Sequence, residues 1–468
     1  MMIKRIFSNI RQNSYFKYWP VYVVLAIVLF ANFNVKPWHN KKVIQWDVTS
    51  YYGYLPACFV HDDLSLDFID GNRAYYANNH MFWPERTAQG DKVIKTTMGL
   101  SWLYMPFFAI GHIEAGSKDQ KQDGFSVAYH KWIHLSAFFY LVVGLFFLHA
   151  FLKKYFSFQI ASIVVVSIVL GTNLFYYATT EAAMSHVYNF ALISVFLWLM
   201  PGWLSAPNFR NSLFLGVVSG LIVLIRPTNL IVLLMLLLFP INNRINFKQR
   251  LYNLFVGKLK YLLVALLAAF LVWVPQLLYW KFVTGDWLFY SYSDEQFYFL
   301  NSHVWEFLFS YRKGWLLYTP LMFLAFGGLL ILLVKRRGWG IAITVPIALY
   351  IFVHASWWCW WFGGSFGLRA MIDIYPIMAI PLATLVSWVM SRRSLRMKQL
   401  AGGVLIALIC LNLFQTFQYR RGVIHWDSMT KEAYWKGFGR IQVDRDKFNR
   451  HYRQPDYESA RKGMNENR

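Results

Sequence analysis

An acidic residue, Asp47, stands among aromatic side chains in the first polar stretch of the chain, after Trp46 and before Tyr51 and Tyr52. Aromatic faces stack on sugar rings, and a carboxylate that is partly removed from water becomes a better base. The pattern predicts that Asp47 is a catalytic base and that Tyr51 and Tyr52 bind a substrate. The alternative is structural, because Asp47 also suits the cap of a helix that begins at Val48.

Two further polar residues, Glu181 and His186, lie where one apolar run ends and the next begins. A carboxylate and an imidazole within two helical turns predict a second contact to a substrate. A short hydrated turn with a helix cap is the alternative interpretation.

Three cations, Arg226, Lys313 and Arg369, stand at the ends of apolar runs. A charge at the edge of the hydrocarbon region costs free energy unless it is paired or hydrated, so each predicts a function. Arg369 ends the segment 357–369, whose glycines would let backbone amides and a guanidinium approach an anion. We predict that the three cations bind a phosphate and that Trp361, in the same segment, contacts a substrate. Snorkelling of Arg226 and an interfacial tryptophan belt are the alternatives.

One carboxylate beside several cations suits the transfer of a sugar from a lipid-linked phosphate. The carboxylate takes a proton from an acceptor hydroxyl, whose oxygen attacks the anomeric carbon, and the cations stabilise the departing phosphate. A phosphate leaves without being protonated, so the second carboxylate of a glycosidase is not required.

The composition places these residues in a membrane protein. Of the 468 residues, 57% are hydrophobic and 15% are charged, whereas about a quarter of a soluble domain is charged. The net charge of +23 comes from short basic clusters between apolar runs, which indicates membrane topology and argues against a nucleic-acid-binding surface. The three cysteines lack the spacing of metal ligands, and we expect neither a metal nor another cofactor.

Apolar runs of the length that crosses a bilayer predict an all-α polytopic membrane protein with about eleven transmembrane helices. The runs are 19–35, 129–152, 158–177, 185–204, 211–226, 228–241, 259–281, 315–334, 339–357, 370–390 and 399–417. We interpret the first as a retained signal anchor, because a poor cleavage site follows it; a cleaved signal peptide is the alternative. The run 98–113 is short and contains Pro106, and we predict that it lies along the membrane interface.

Basic residues determine the predicted orientation, since Lys and Arg in short loops stay on the inner side of the membrane. With the N-terminus inside, the inner segments carry Lys or Arg and no Asp or Glu: 1–18, 153–157, 205–210, 242–258, 335–338 and 391–398. The outer face then holds a first loop at about 36–128, a second at about 282–314, and a C-terminal tail at 418–468. Residues 1–417 form the predicted catalytic module, with its site on the outer face.

Several segments resemble those of the GT-C superfamily of membrane glycosyltransferases, similar to the bacterial protein O-mannosyltransferase and aminoarabinose-transferase branch. They are Trp46-Asp47, 99–108, 226–229, 314–320 and 363–369. The resemblance implies a polyprenyl-phosphate sugar as donor, a hydroxyl acceptor, and a site on the outer face of the bacterial inner membrane. It also implies transfer that needs no metal.

The same resemblance implies that Asp47 is the base and that 48–60 and 98–113 form interfacial helices of the first loop. Many relatives have an Asp-Glu pair where this chain has Asp47 alone. Asp62 and Asp63 therefore remain alternative candidates for the base.

Two other classes of membrane protein use similar substrates. A transporter or flippase for a lipid-linked sugar should carry ionisable groups deep in several helices, whereas Arg226, Glu181 and a few His lie toward one face. A transferase of the O-antigen ligase or polymerase type shares the donor chemistry but moves oligosaccharides. A non-enzymatic scaffold would not need gathered cations. The sequence names neither the sugar nor the acceptor, which is a lipid, a polysaccharide or a protein.

Overall fold

The computed structural model describes residues 18–71, 84–240 and 247–464. This part of the chain is almost entirely helical, and its one sheet consists of two short antiparallel strands. The predicted all-α class is confirmed at this level.

The elements follow one another in three stretches of chain. The first contains α1 (Trp19–Val35), a 3-10 helix (Pro37–Asn40), α2 (Asp47–Tyr52), α3 (Tyr54–Phe59), α4 (Phe68–Gly71), β1 (Glu85–Arg86), β2 (Lys92–Val93) and α5 (Gly99–Ser117). The second contains α6 (Val127–Leu152), α7 (Phe158–Leu170), α8 (Leu174–Thr179), α9 (Ser185–Ser205), α10 (Phe209–Ile225), a 3-10 helix (Pro227–Leu234), α11 (Met235–Leu238), α12 (Phe247–Tyr252), a π-helix (Asn253–Gly257) and α13 (Leu259–Thr284). The third contains a 3-10 helix (Phe299–Asn301), α14 (Val304–Phe309), α15 (Trp315–Tyr318), α16 (Leu321–Lys335), α17 (Arg337–Ala355), a 3-10 helix (Arg369–Ile374), α18 (Tyr375–Met390), α19 (Leu395–Arg420), α20 (Lys431–Gly437), α21 (Arg445–Asn449) and α22 (Tyr457–Arg461).

Seven helical segments within the described residues are long and apolar enough to cross a membrane. They are Trp19–Asn40, Val127–Leu152, Ser185–Ser205, Leu259–Thr284, Arg337–Ala355, Arg369–Met390 and Leu395–Arg420. Shorter apolar helices at Phe158–Leu170, Phe209–Ile225, Pro227–Leu238 and Leu321–Lys335 coincide with the other predicted runs. The chain is a multi-pass membrane protein, and the count of eleven crossings and the orientation stay predictions.

Small residues allow the long helices to approach closely, as is common in membrane bundles. Gly216 of α10 faces the backbone of Ala265 in α13, and Gly328 of α16 faces the backbone of Pro381 in α18. A methyl group built at either glycine would overlap those backbone atoms. The second contact packs α16 against α18, the helix that directly follows the 3-10 helix Arg369–Ile374.

The two long loops and the C-terminal tail contain most of the shorter elements. Helix α5 covers the run 98–113 and packs on α6, and its interfacial position stays a prediction. The tail folds against the second loop: Tyr298 donates a hydrogen bond to the Arg461 carbonyl, and Asn301 donates to the Gly463 carbonyl at 2.7 Å.

Candidate active site

Asp47 is the first residue of α2, a helix of six residues in the first loop. The preceding residue, Trp46, has φ 54° and ψ −135°, a conformation that side-chain-bearing residues rarely adopt. Backbone strain of this kind is concentrated at functional sites, where the surrounding structure enforces it. The described α2 has no side-chain cap at its N-terminus, so the structure does not show the capping role considered for Asp47.

Arg369 reaches Asp47 from the opposite wall of the site. It begins the 3-10 helix Arg369–Ile374, and its guanidinium lies 2.7 Å from Asp47 Oδ2. Burial alone would raise the pKa of the Asp47 carboxyl, but the charge and hydrogen bond of Arg369 outweigh it and lower that pKa. Asp47 is therefore ionised and able to accept a proton.

A cavity of about 560 Å³ opens beside this ion pair, a volume typical of a small-molecule site. Its lining comes from the first loop, the α8–α9 connection, the glycine-rich segment before Arg369, and the tail: Lys42, Val43, Gln45, Trp46, Asp47, Val48, Thr180, Glu181, Ala182, Ala183, Met184, Gly363, Gly364, Arg369, Tyr419 and Trp426. The indole side chains of Trp46 and Trp426 are both exposed, so two aromatic faces flank the charged groups.

Glu181 is the second carboxyl group of this cavity. Burial raises its pKa above the ordinary value, although Tyr176 donates a hydrogen bond to it at 2.9 Å. The pKa values of Asp47 and Glu181 are thus displaced in opposite directions, as expected for two carboxyls that do different things in one site.

A second charged group lies within the helices and surrounds Asp373. His186 Nδ1 lies 3.1 Å from one oxygen of Asp373, and Asn189 and Asn229 each donate to the other oxygen at 2.9 Å. The guanidinium of Arg226 lies 3.4 Å from the same oxygen. The structure thus joins His186 and Arg226, two predicted site residues, through an aspartate.

Asp373 was not among the candidates from the sequence. It lies in the predicted span 370–390, and a carboxylate inside an apolar run is itself a signal of function or of a buried partner. The position of Asp373 within an apolar run could therefore have identified it from the sequence. Its partners could not be identified in this way, because they come from α9 and from the segment after α10.

Lys313 lies apart from the cavity lining. Its ammonium donates hydrogen bonds to the carbonyls of Ser365 and Trp426, and burial lowers the pKa of Lys313 to about 7. Lys313 therefore connects the glycine-rich segment to the tail. The carbonyls that it contacts belong to Trp426, which lines the cavity, and to Ser365, which follows the lining residue Gly364. Its predicted contact with a phosphate stays a prediction.

The predicted aromatic contacts are also outside the lining. Tyr51 is half-buried; Tyr52 is fully buried and donates a hydrogen bond to the Gly124 carbonyl. Trp361 is buried with the guanidinium of Arg312 5.1 Å from its ring centre. None of these three side chains lines the cavity, and their contact with a substrate stays a prediction.

The alternative acidic residues do not line the cavity either. Asp63 accepts hydrogen bonds from the backbone N–H groups of Ser65 and Phe68, both at 2.9 Å, and so stabilises a turn. Asp62 occupies the left-handed region with φ 48°. Within the described ranges, no three His, Cys, Asp or Glu side chains are grouped to hold a metal ion.

Comparison with known proteins gives a similarity of fold only. No family model matches the chain, and no curated protein matches it. Among solved structures, the chain is similar to the apo crystal structure of the Archaeoglobus fulgidus oligosaccharyltransferase, with a TM-score of 0.49 and 14% sequence identity. The alignment covers 92% of this chain and 61% of that chain, so this chain spans less than two thirds of its neighbour. Similarity at this level assigns no family.

Proposed function

We propose that this chain is a glycosyltransferase that moves a sugar from a polyprenyl-phosphate donor to a hydroxyl acceptor on the outer face of a bacterial inner membrane. One observation carries the proposal: an ionised carboxylate, Asp47, faces a cavity of about 560 Å³ and is held by Arg369 at 2.7 Å. A base and an anion-binding cation thus meet at one place, flanked by aromatic faces. Sugar transfer from a phosphate needs these groups together.

The proposed reaction is a single displacement that inverts the anomeric carbon. The acceptor oxygen attacks that carbon, its proton passes to Asp47, and the bond from carbon to phosphate oxygen breaks. The electron pair of that bond leaves with the polyprenyl phosphate. The proposed step forms no covalent intermediate with the enzyme and does not use a metal ion.

Arg369 has two roles in the proposal. Without a donor it neutralises Asp47, and with a donor phosphate in place its guanidinium is shared between the two anions. Sharing weakens the hold on Asp47 and raises the pKa of its carboxyl toward the value that suits a base. Arg226 and Lys313 do not line the cavity, so the proposed step uses Arg369 alone, and their contact with the phosphate stays a prediction.

A flippase for a lipid-linked sugar is the second candidate, and the buried Asp373 group favours it. Ionisable side chains inside helices commonly mark transport pathways. A purified flippase would move the lipid-linked sugar across vesicles without forming a product. The two functions are therefore distinguished by a covalent product.

The test compares carboxamide variants in a deletion strain, with mass spectrometry of envelope lipids and glycans. Asp47→Asn should reduce the product by about 10²- to 10⁴-fold, the usual contribution of a positioned base. Asp62→Asn is the matched control in the same loop and should retain the product, because Asn tolerates its left-handed backbone. Full activity in Asp47→Asn rejects the assignment, and loss in Asp62→Asn alone transfers the role of base to Asp62.

A further inference from the structure

A second cavity lies at the opposite end of the segment Arg369–Met390. Arg369 begins this segment at the candidate active site, and the 16-residue helix α18 then extends about 24 Å to the second cavity. The cavity measures about 220 Å³. Its lining comprises Tyr155, Phe156, Ile331, Leu332, Lys335, Arg336, Trp339, Ile380, Thr384, Ser387, Trp388 and Ser391.

Two cations, Lys335 and Arg336, stand at one side of this cavity, where α16 ends and α17 begins. Both are exposed, and neither pairs with a carboxylate in the described ranges. The segments 335–337 and 392–398 carry three and four Lys or Arg residues, with no Asp or Glu. A strong positive field therefore surrounds a concave site, and an anion is the ligand that it favours.

The rest of the lining divides into a polar and an apolar part. Thr384 donates to a carbonyl of α18 at 3.0 Å and Ser391 to the Trp388 carbonyl at 2.8 Å. The hydroxyl groups of Ser387 and Tyr155 are further polar groups of the lining. Ile331, Leu332 and Ile380 form the apolar part. Trp339 is fixed by edge-to-face contacts with Tyr155 and Phe239.

We propose that this cavity binds the phosphate headgroup of an anionic membrane lipid. A phosphate diester accepts hydrogen bonds from the Arg336 guanidinium and the Lys335 ammonium, and its acyl chains lie along the apolar wall. Basic pockets between helices on the predicted inner side are suited to such headgroups. The proposal is independent of the sugar-transfer function, because it uses no residue of the Asp47 site.

Native mass spectrometry of the full chain in detergent tests the lipid. Phosphatidylglycerol and phosphatidylcholine with identical acyl chains are supplied at equal concentration, and bound lipids are counted. We expect about tenfold greater retention of phosphatidylglycerol, because both lipids offer the phosphate diester but phosphatidylcholine also brings a quaternary ammonium that Lys335 and Arg336 repel. Equal retention of the two lipids overturns the proposal.

Charge variants test the location. Lys335→Gln/Arg336→Gln should lose the preference, whereas Arg393→Gln/Arg396→Gln should keep it, because this control removes two cations from the same face outside the lining. A matching thermal midpoint of the two double variants shows that both are folded. Equal loss in both pairs would mean a diffuse surface charge and overturns the site.

Inorganic phosphate separates the two sources of the anion. We expect millimolar phosphate to compete weakly with bound phosphatidylglycerol, since free phosphate makes no contact with the apolar wall. Binding of phosphate together with no lipid preference assigns the cavity to a soluble anion and overturns the lipid proposal.

Discussion

Two arginine–aspartate pairs meet at the short 3-10 helix Arg369–Ile374, and they differ in their access to water. In the first pair, the Asp47 side chain is 44% exposed and lies 2.7 Å from Arg369. In the second, the Asp373 side chain is 0% exposed and lies 3.4 Å from Arg226. The short helix thus contributes the cation Arg369 to the exposed pair with Asp47, here called the open pair. It contributes the anion Asp373 to the buried pair with Arg226, here called the closed pair.

The hydrogen bonds show what each pair does. Asp373 accepts from two asparagine side chains as well as contacting Arg226, so its lone pairs are occupied within the helices. Asp47 has Arg369 on one side and the cavity on the other. A filled, dry pair is suited to holding helices in register, whereas an open pair can exchange partners with a substrate. The comparison favours a structural role for Asp373, and catalysis by Asp47 stays the proposal that the variants below test.

The largest expected effect comes from breaking the closed pair. Asp373→Asn leaves the Arg226 charge buried without its partner, which should lower the free energy of unfolding by about 3–5 kcal/mol. The thermal midpoint and the yield of folded protein in detergent measure this loss. Arg226→Gln combined with Asp373→Asn removes both charges and should recover much of the stability. A single variant with an unchanged midpoint would contradict the structural role of Asp373.

The second largest effect is expected when the cation of the open pair, Arg369, is replaced by a neutral residue. Arg369→Gln should reduce transfer by about 10- to 100-fold, corresponding to one hydrogen bond between charged groups. It should also change the pH dependence. Arg369 lowers the pKa of the Asp47 carboxyl in the folded protein, so without Arg369 burial raises that pKa and Asp47 becomes protonated at higher pH. The acid limb of the rate profile should therefore move upward, and an unmoved limb would dissociate Arg369 from the base.

The sequence predicted the helices better than the pairs. Hydrophobic length is a local property, so each predicted apolar run coincides with an apolar helix of the described structure. Aromatic neighbours singled out Asp47 and the glycine-rich segment singled out Arg369, and their roles stay predictions. Their contact with each other was not predictable from the sequence, since 322 residues separate them.

The closed pair shows the same limit more strongly. Arg226 and Asp373 are 147 residues apart, and no short sequence motif indicates which acidic residue pairs with which basic residue. Only the packing of the folded helices brings them together, with His186 and Asn189 of α9 as further partners of Asp373. In the structure the guanidinium of Arg226 lies 3.4 Å from the buried Asp373, a partner that the snorkelling interpretation did not include.

The smallest effect distinguishes the two carboxyls of the cavity. Burial raises the pKa of the Glu181 carboxyl, whereas that of Asp47 is lowered, and Tyr176 donates a hydrogen bond to Glu181 that a glutamine oxygen also accepts. Glu181→Gln should therefore retain transfer within about threefold, the effect of less than one ordinary hydrogen bond. Parallel rates of Glu181→Gln and Asp47→Asn at saturating donor provide the measurement. A loss in Glu181→Gln as deep as that in Asp47→Asn would make Glu181 a second essential carboxyl, and the cavity would then contain a pair of acids in place of one base.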